Sequence, residues 1–148
     1  MPTASETTVS PESPIPGPLY CDASALAKLF WPETDSDALN RLLVGREDVL
    51  VSDLCLTEVA SALARRVREG AVEAAVAIRV HRELLAVAAG PAVRRVEQVP
   101  ATHREAERLL LASRRNALRA VDALHLVMAR GAGAGTVLTF DRIMARAA

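Results

Sequence analysis

PLYCDASALAKLF, residues 18–30, joins a short apolar run to a helical pattern through a single aspartate. LYC is too short for a helix and follows a proline, so it reads as a buried strand, whereas ASALAKLF has the length and spacing of a helix. Asp22 stands at the junction. The same order returns at DVLVSDLCLTEVASALARR, 48–66, and at GTVLTFDRIMARAA, 135–148, where Asp141 opens the closing segment. Short apolar runs alternating with longer helical stretches are the mark of βαβ units and a parallel sheet. Strands are expected around 18–22, 48–52, 93–97 and 135–139. Helices are expected over 24–31, 35–45, 54–69, 71–89, 101–114 and 119–130, with Gly70, Gly90 and Gly131 at the C-terminal cap positions. The segment AVEAAVAIRVHRELLAVAAG, 71–90, is apolar around much of its circumference. It is either a partner or dimer surface or a helix packed between two neighbours of its own domain.

A chain of 148 residues, 51% of them hydrophobic, has enough apolar surface for one domain with one core. Residues 1–17 are rich in Pro, Ser and Thr, which cannot bury enough surface to offset their ordering entropy, so a disordered tail is expected there and a folded domain over 18–148. Lys+Arg and Asp+Glu are balanced at 18 each, which excludes a general nucleic-acid coat. The tail carries Glu6 and Glu12 and no cation, leaving the folded part mildly basic at about +2. Lys28 is the only lysine; every other cation is arginine, which suits bidentate phosphate contacts. Cys21 and Cys55 form no CxxC pair and are expected to be buried thiols, not a zinc site or a disulfide. Neither a secretory signal nor an apolar run of membrane-spanning length is present in the sequence, so a cytoplasmic protein without a membrane partner is expected.

In an open α/β sheet, ligands bind beyond the carboxyl ends of the strands. Asp22 and Asp141 have that placement, although each also suits a helix N-cap. Glu58 in DLCLTEVASALARR and Asp122 in LRAVDALHLVMAR lie among apolar neighbours, where an unpartnered carboxylate is expensive. Arg119, three residues before Asp122, is its obvious helical partner. A parallel sheet can bring all four acids to one rim. Such a set provides the oxygen ligands that hard Mg²⁺ or Mn²⁺ prefers, and metal binding relieves the mutual repulsion of the carboxylates. That chemistry serves hydrolysis without a nucleophilic side chain or a general-base histidine.

DASALAKLF from Asp22, LTEVASAL around Glu58, LRAVDALHLVMA around Asp122 and TFD ending at Asp141 resemble the PIN domain, especially its VapC-type toxin ribonucleases. The motifs fall in the family's order, separated by 36, 64 and 19 residues, and the resemblance runs from about Leu19 to the C-terminus. It implies a three-layer, doubly wound α/β sandwich around a mostly parallel sheet of four or five strands. It also implies an Mg²⁺- or Mn²⁺-dependent endoribonuclease that cuts RNA with Asp22, Glu58, Asp122 and Asp141 as metal ligands. As the toxin of a type II toxin–antitoxin pair, such a protein is usually dimeric, is occluded by a cognate antitoxin, and takes RNA such as transfer RNA. Two features depart from the family: the 17-residue tail before the first strand, and only seven residues after Asp141, where relatives add another short strand.

Ser24 resembles the family's small hydroxyl beside the first acid, and is otherwise a helix-start residue. Thr139 is placed to orient Asp141 or touch a phosphate, though a strand explains it equally. Arg114, Arg115 and Arg119 are candidates for gripping RNA phosphates, with solvated charges as the plainer reading. His125, three residues past Asp122, is expected to be a core or capping histidine. Tyr20, Phe30, Trp31 and Phe140 are too few for a base-stacking platform, leaving recognition to shape and backbone contacts. The alternative function is a non-catalytic PIN-like module binding RNA or protein. A receiver-like phosphoacceptor fits less well, because Lys28 lies in the wrong element.

Overall fold

The computed structural model describes residues 15–31, 35–113 and 117–148. Its chain order is β1 (Leu19–Cys21), α1 (Ala23–Phe30), α2 (Ser36–Leu43), β2 (Val49–Ser52), α3 (Asp53–Arg68), α4 (Ala74–Ala88), β3 (Val93–Val96), α5 (Pro100–Ala112), α6 (Ala120–Gly131), β4 (Thr136–Leu138) and α7 (Arg142–Ala147). All four strands run parallel in the order β3-β2-β1-β4. The fold is therefore the α/β sheet that the alternating pattern predicts.

Strand order explains both the layering and the residue types. β1 and β2 are the inner strands and every residue in them is buried, so they read as uninterrupted apolar runs; β3 and β4 are edges and only half-buried. The chain steps from β1 to β2 to β3, then returns to the far side of β1 for β4. Right-handed crossovers put the helices of the outward and return steps on opposite faces. α1, α2, α3 and α4 accordingly pack together over one face, and α5, α6 and α7 pack together for the other. Tyr20, Leu50, Val59, Leu63 and Leu84 belong to the larger core, while Ala106, Ala123 and Val127 knit α5 to α6. The reversal in strand order falls between β1 and β4. A doubly wound sheet opens a crevice at that point, beyond the strands' carboxyl ends.

Several details differ from the sequence expectations. The left-handed turn after α6 is at Gly133 (φ 73°), while Gly131 is the helix's last residue; Gly70 (φ 71°) does close α3, donating to the Val67 carbonyl. Residues 1–14 of the expected tail lie outside the described residues, but Ile15 and Pro16 are tied down: their carbonyls accept bonds from Arg46 and Thr136. α4 buries Ala77, Leu84 and Ala88 against its own domain, yet leaves Ile78, Leu85 and Val87 exposed. Cys21 and Cys55 are buried free thiols, as expected. Among the described residues, no helix is long and apolar enough to cross a membrane.

Candidate active site

Asp22 ends β1 and caps α1, accepting the Ala25 amide at 2.9 Å. The N-cap role is real but does not exhaust this side chain. The Ser24 hydroxyl donates to both of its oxygens (2.7 and 2.9 Å), and the Thr139 hydroxyl donates across the crevice at 2.7 Å. Thr139 in turn accepts the Asp141 amide at 2.9 Å, and Ser24 accepts the Phe140 amide at 2.8 Å. Two hydroxyls thus lash the end of β1 to the segment after β4. Asp141 caps α7 through the Ile143 and Met144 amides.

Asp122 sits in the first turn of α6, only 4% exposed, and accepts the Arg119 backbone amide at 3.0 Å. Its second partner is the Arg119 guanidinium, through Nε at 3.1 Å and an Nη at 3.3 Å. The same guanidinium reaches Asp141 at 2.7 Å. Arg119 therefore bridges two candidate acids from an exposed position, and the charges of Asp122, Asp141 and Glu58 all help to hold it protonated. Arg114 and Arg115 lie outside the described residues.

Glu58, on α3, is held by a residue that the sequence reading set aside as a core histidine. His125 is indeed buried, 2% exposed, but its Nε2 lies 2.5 Å from the Glu58 carboxylate and its Nδ1 lies 2.8 Å from the Tyr20 hydroxyl. Burial pulls the imidazolium pKa down, but hydrogen bonding to Cys55 and Glu58 and the charge of Glu58 outweigh it, pushing the pKa up to about 10. A protonated ring makes the whole buried chain self-consistent. Nε2–H donates to Glu58, Nδ1–H to the Tyr20 oxygen, and the Tyr20 hydroxyl to Ser52 Oγ at 3.0 Å. Ser52 then donates to Cys55 Sγ at 3.4 Å, and Cys55 to the Cys21 carbonyl at 2.9 Å. Every donor has an acceptor, and no buried side-chain polar atom among the described residues is left unpartnered. Burial raises the Tyr20 pKa further, keeping the phenol neutral, and pushes the Cys21 thiol up to about 12.

Asp22, Asp122 and Asp141 thus meet on one rim through Ser24, Thr139 and Arg119, while Glu58 is held by His125 on the helix that carries Asp122. Among the described residues, no three His, Cys, Asp or Glu side chains are grouped so as to hold a metal ion. In donor type the set still fits a hard divalent cation, being all carboxylate oxygen. It also already gathers positive charge: the exposed Arg119 stands where two of the acids meet.

A parallel α/β domain with acids at its switch point defines a class of carboxylate-rimmed sheet proteins. Residues 19–148 match the family model of the PIN domain, and the chain belongs to that family. Among solved structures, the chain is similar to VapC20 of Mycobacterium tuberculosis, described as a sarcin–ricin loop cleaving toxin. The TM-score is 0.73 at 20% identity, covering 88% of this chain and 95% of that one. It is also similar to PAE2754 of Pyrobaculum aerophilum, with a TM-score of 0.62 at 23% identity over 87% of this chain and 78% of that one. At these identities the likeness concerns the fold. Comparison with curated protein sequences finds no match.

Proposed function

We propose that this PIN domain is an Mg²⁺- or Mn²⁺-dependent endoribonuclease acting as the toxin of a toxin–antitoxin pair. The observation that carries the reading is the cluster of Asp22, Asp122 and Asp141 at the sheet's switch point, joined through Ser24, Thr139 and Arg119, with Glu58 held by His125 on the helix that carries Asp122. These four carboxylates would hold the ion. When bound, it supplies neutralising charge for the phosphodiester and acidity for the attacking water. Hydrolysis there would join the water oxygen to phosphorus and break the opposite P–O bond, the proton lost by the water being matched by the one the leaving oxygen gains. Ser24 and Thr139 fix the rotamer of Asp22, and His125 does the same for Glu58, so neither acid reorganises when substrate arrives. Arg119 is placed to turn from its carboxylates toward an RNA phosphate. The toxin role rests on the description of VapC20 as a toxin, the antitoxin partner on the resemblance of the four motifs to VapC-type toxins, and a homodimer through Ile78, Leu85 and Val87 on α4 is the assembly this reading favours.

Calorimetry of Mn²⁺ binding on wild type and Asp122→Asn, followed by RNA cleavage in the same buffer, tests the proposal. Saturable binding and cleavage, both lost in the variant, are expected. A folded wild type that binds no Mn²⁺ would leave a non-catalytic binding module.

A further inference from the structure

We infer that the cleft between α1, α2 and α4 is the seat of this chain's own proline-rich segment, residues 10–14, packed there as a turn of polyproline II. The inference is independent of the ribonuclease reading and begins at the end of the sheet opposite the acid rim. There residues 15–18 pass between the loops that lead into β2 and β4. Arg46 donates to the Ile15 carbonyl at 3.2 Å, Thr136 to the Pro16 carbonyl at 2.7 Å, and the Gly135 amide to the Pro18 carbonyl at 2.9 Å. Gly17 is wedged so closely that a Cβ on it would overlap the Asp48 carboxylate, and a Cβ on Gly135 would stand 2.7 Å from the Gly17 carbonyl oxygen. This clasp fixes where the preceding chain departs, which is beside Arg46. The Arg46 side chain also lines the cleft, which measures about 330 Å³.

Leu29 and Phe30 of α1, Leu43 and Val44 at the end of α2, and Val87 of α4 give that cleft an apolar wall. Val44 is 79% exposed and Val87 53%, so the wall asks for an apolar cover. The sequence that leads into the clasp, SPESPIP at 10–16, has the right chemistry. Proline sets its own φ near −65° and keeps the residue before it extended. Ser10, Pro11, Ser13, Pro14, Ile15 and Pro16 are all restricted in this way, leaving only Glu12 free. At three residues per turn, Pro11 and Pro14 fall on one face of a polyproline II helix. A segment already extended loses little entropy on docking, which is why PxxP spacings suit apolar grooves that carry an aromatic ring, here Phe30. Pro14 adjoins the clasped Ile15, so no linker has to close, and a tether this short gives an effective concentration on the order of millimolar. That advantage favours the chain's own segment over a second copy, the competing occupant, which would reach the cleft through Val87 on the α4 face.

Nuclear Overhauser effects in the full chain test the seat directly. Equal amounts of isotope-labelled and unlabelled chain are mixed, so that filtered spectra separate contacts within a chain from contacts between copies. Contacts within one chain are expected from the Pro11 and Pro14 rings to the methyls of Leu43, Val44 and Val87. Two variants approach the contact from its two sides: Pro11→Asp combined with Pro14→Asp, and Val44→Asp, whose side chain is exposed and outside the core. Each should abolish those contacts and lower Tm by roughly 2–5 °C. Absence of the contacts in the wild type, with Val44 and Val87 methyl shifts unmoved by the double proline variant, would overturn the seat. Contacts to the same methyls arising only from the other copy would also overturn it, and would give the cleft to a second chain.

Discussion

Tyr20→Phe removes one oxygen from the centre of the protein and tests whether the buried chain from Glu58 to Cys55 holds the fold together. Phenylalanine keeps the ring and its packing, so cavity formation contributes little. What changes is polar: the Tyr20 hydroxyl donates to Ser52 and accepts from His125 Nδ1 at a position with no solvent exposure. Ser52 keeps the Cys55 amide as a donor. His125 Nδ1 keeps only the long contact to Cys55 Sγ at 3.9 Å, so an imidazolium N–H is left with a weak acceptor at about 1–3 kcal/mol, added to about 1 kcal/mol for the lost bond to Ser52. A loss of roughly 2–4 kcal/mol is a large share of a domain's usual 5–15 kcal/mol, and corresponds to a fall in Tm of roughly 5–15 °C. Urea denaturation in chelator at neutral pH measures it. The same experiment on Glu58→Gln and on the double variant completes a cycle. With Glu58 neutral, the ring loses one of the contacts that favour its second proton, and a neutral Nδ1 no longer needs the Tyr20 oxygen as acceptor. The two substitutions should then be non-additive by more than about 0.5 kcal/mol. Additivity, or a Tyr20→Phe cost below about 0.5 kcal/mol, would refute the proton-ordered chain.

Two further outcomes follow from the same contacts. The His125 pKa is raised from 6.5 to about 10, so its stabilisation is complete below pH 6.5 and lost as pH rises through 10, at no more than about 1.4 kcal/mol per pH unit. His125→Asn should flatten that slope in metal-free urea melts; a wild type equally stable from pH 6.5 to 10 would contradict it. Arg119→Ala frees Asp122 and Asp141 from their resident cation, so Mn²⁺ should bind more tightly by calorimetry while RNA binds more weakly by anisotropy. Unchanged Mn²⁺ affinity would show that Arg119 does not compete with the ion.

The legible parts of this molecule are those governed by local periodicity. Leu19–Cys21 and Val49–Ser52 stand out as strands because an inner strand of a parallel sheet is buried on both faces and tolerates no polar interruption. Asp22 and Asp141 were legible as strand-end acids because a strand-to-helix junction is local. Their hydroxyl partners were visible as residue types only; that Thr139 reaches Asp22, 117 residues away, depends on β4 lying beside β1. His125 looked like a core residue because Tyr20 is 105 positions away and Glu58 is 67 away, and no spacing rule joins them. Its charge state is likewise tertiary in origin: alone and buried, a histidine is neutral. The cap expected at Gly131 moved to Gly133, which takes the left-handed conformation one residue beyond the Ala132 C-cap.

The formal charges at the rim connect these observations. Four carboxylates bring −4, and Arg119 and His125 return +2. His125 is buried and anchored on both ring nitrogens, so its charge stays; Arg119 is 66% exposed and holds on by its tip alone. A deficit of two charges is what one divalent ion supplies. A second ion would overfill the site while Arg119 remains, and fits only if that guanidinium swings away. An arriving RNA phosphate offers the inducement to move, because it presents the same bidentate oxygen geometry as the carboxylates Arg119 leaves. On the proposed nuclease reading, this arithmetic would balance the site for one ion at rest and for two only with an RNA phosphate present, which would make Arg119 the link between RNA binding and the acids.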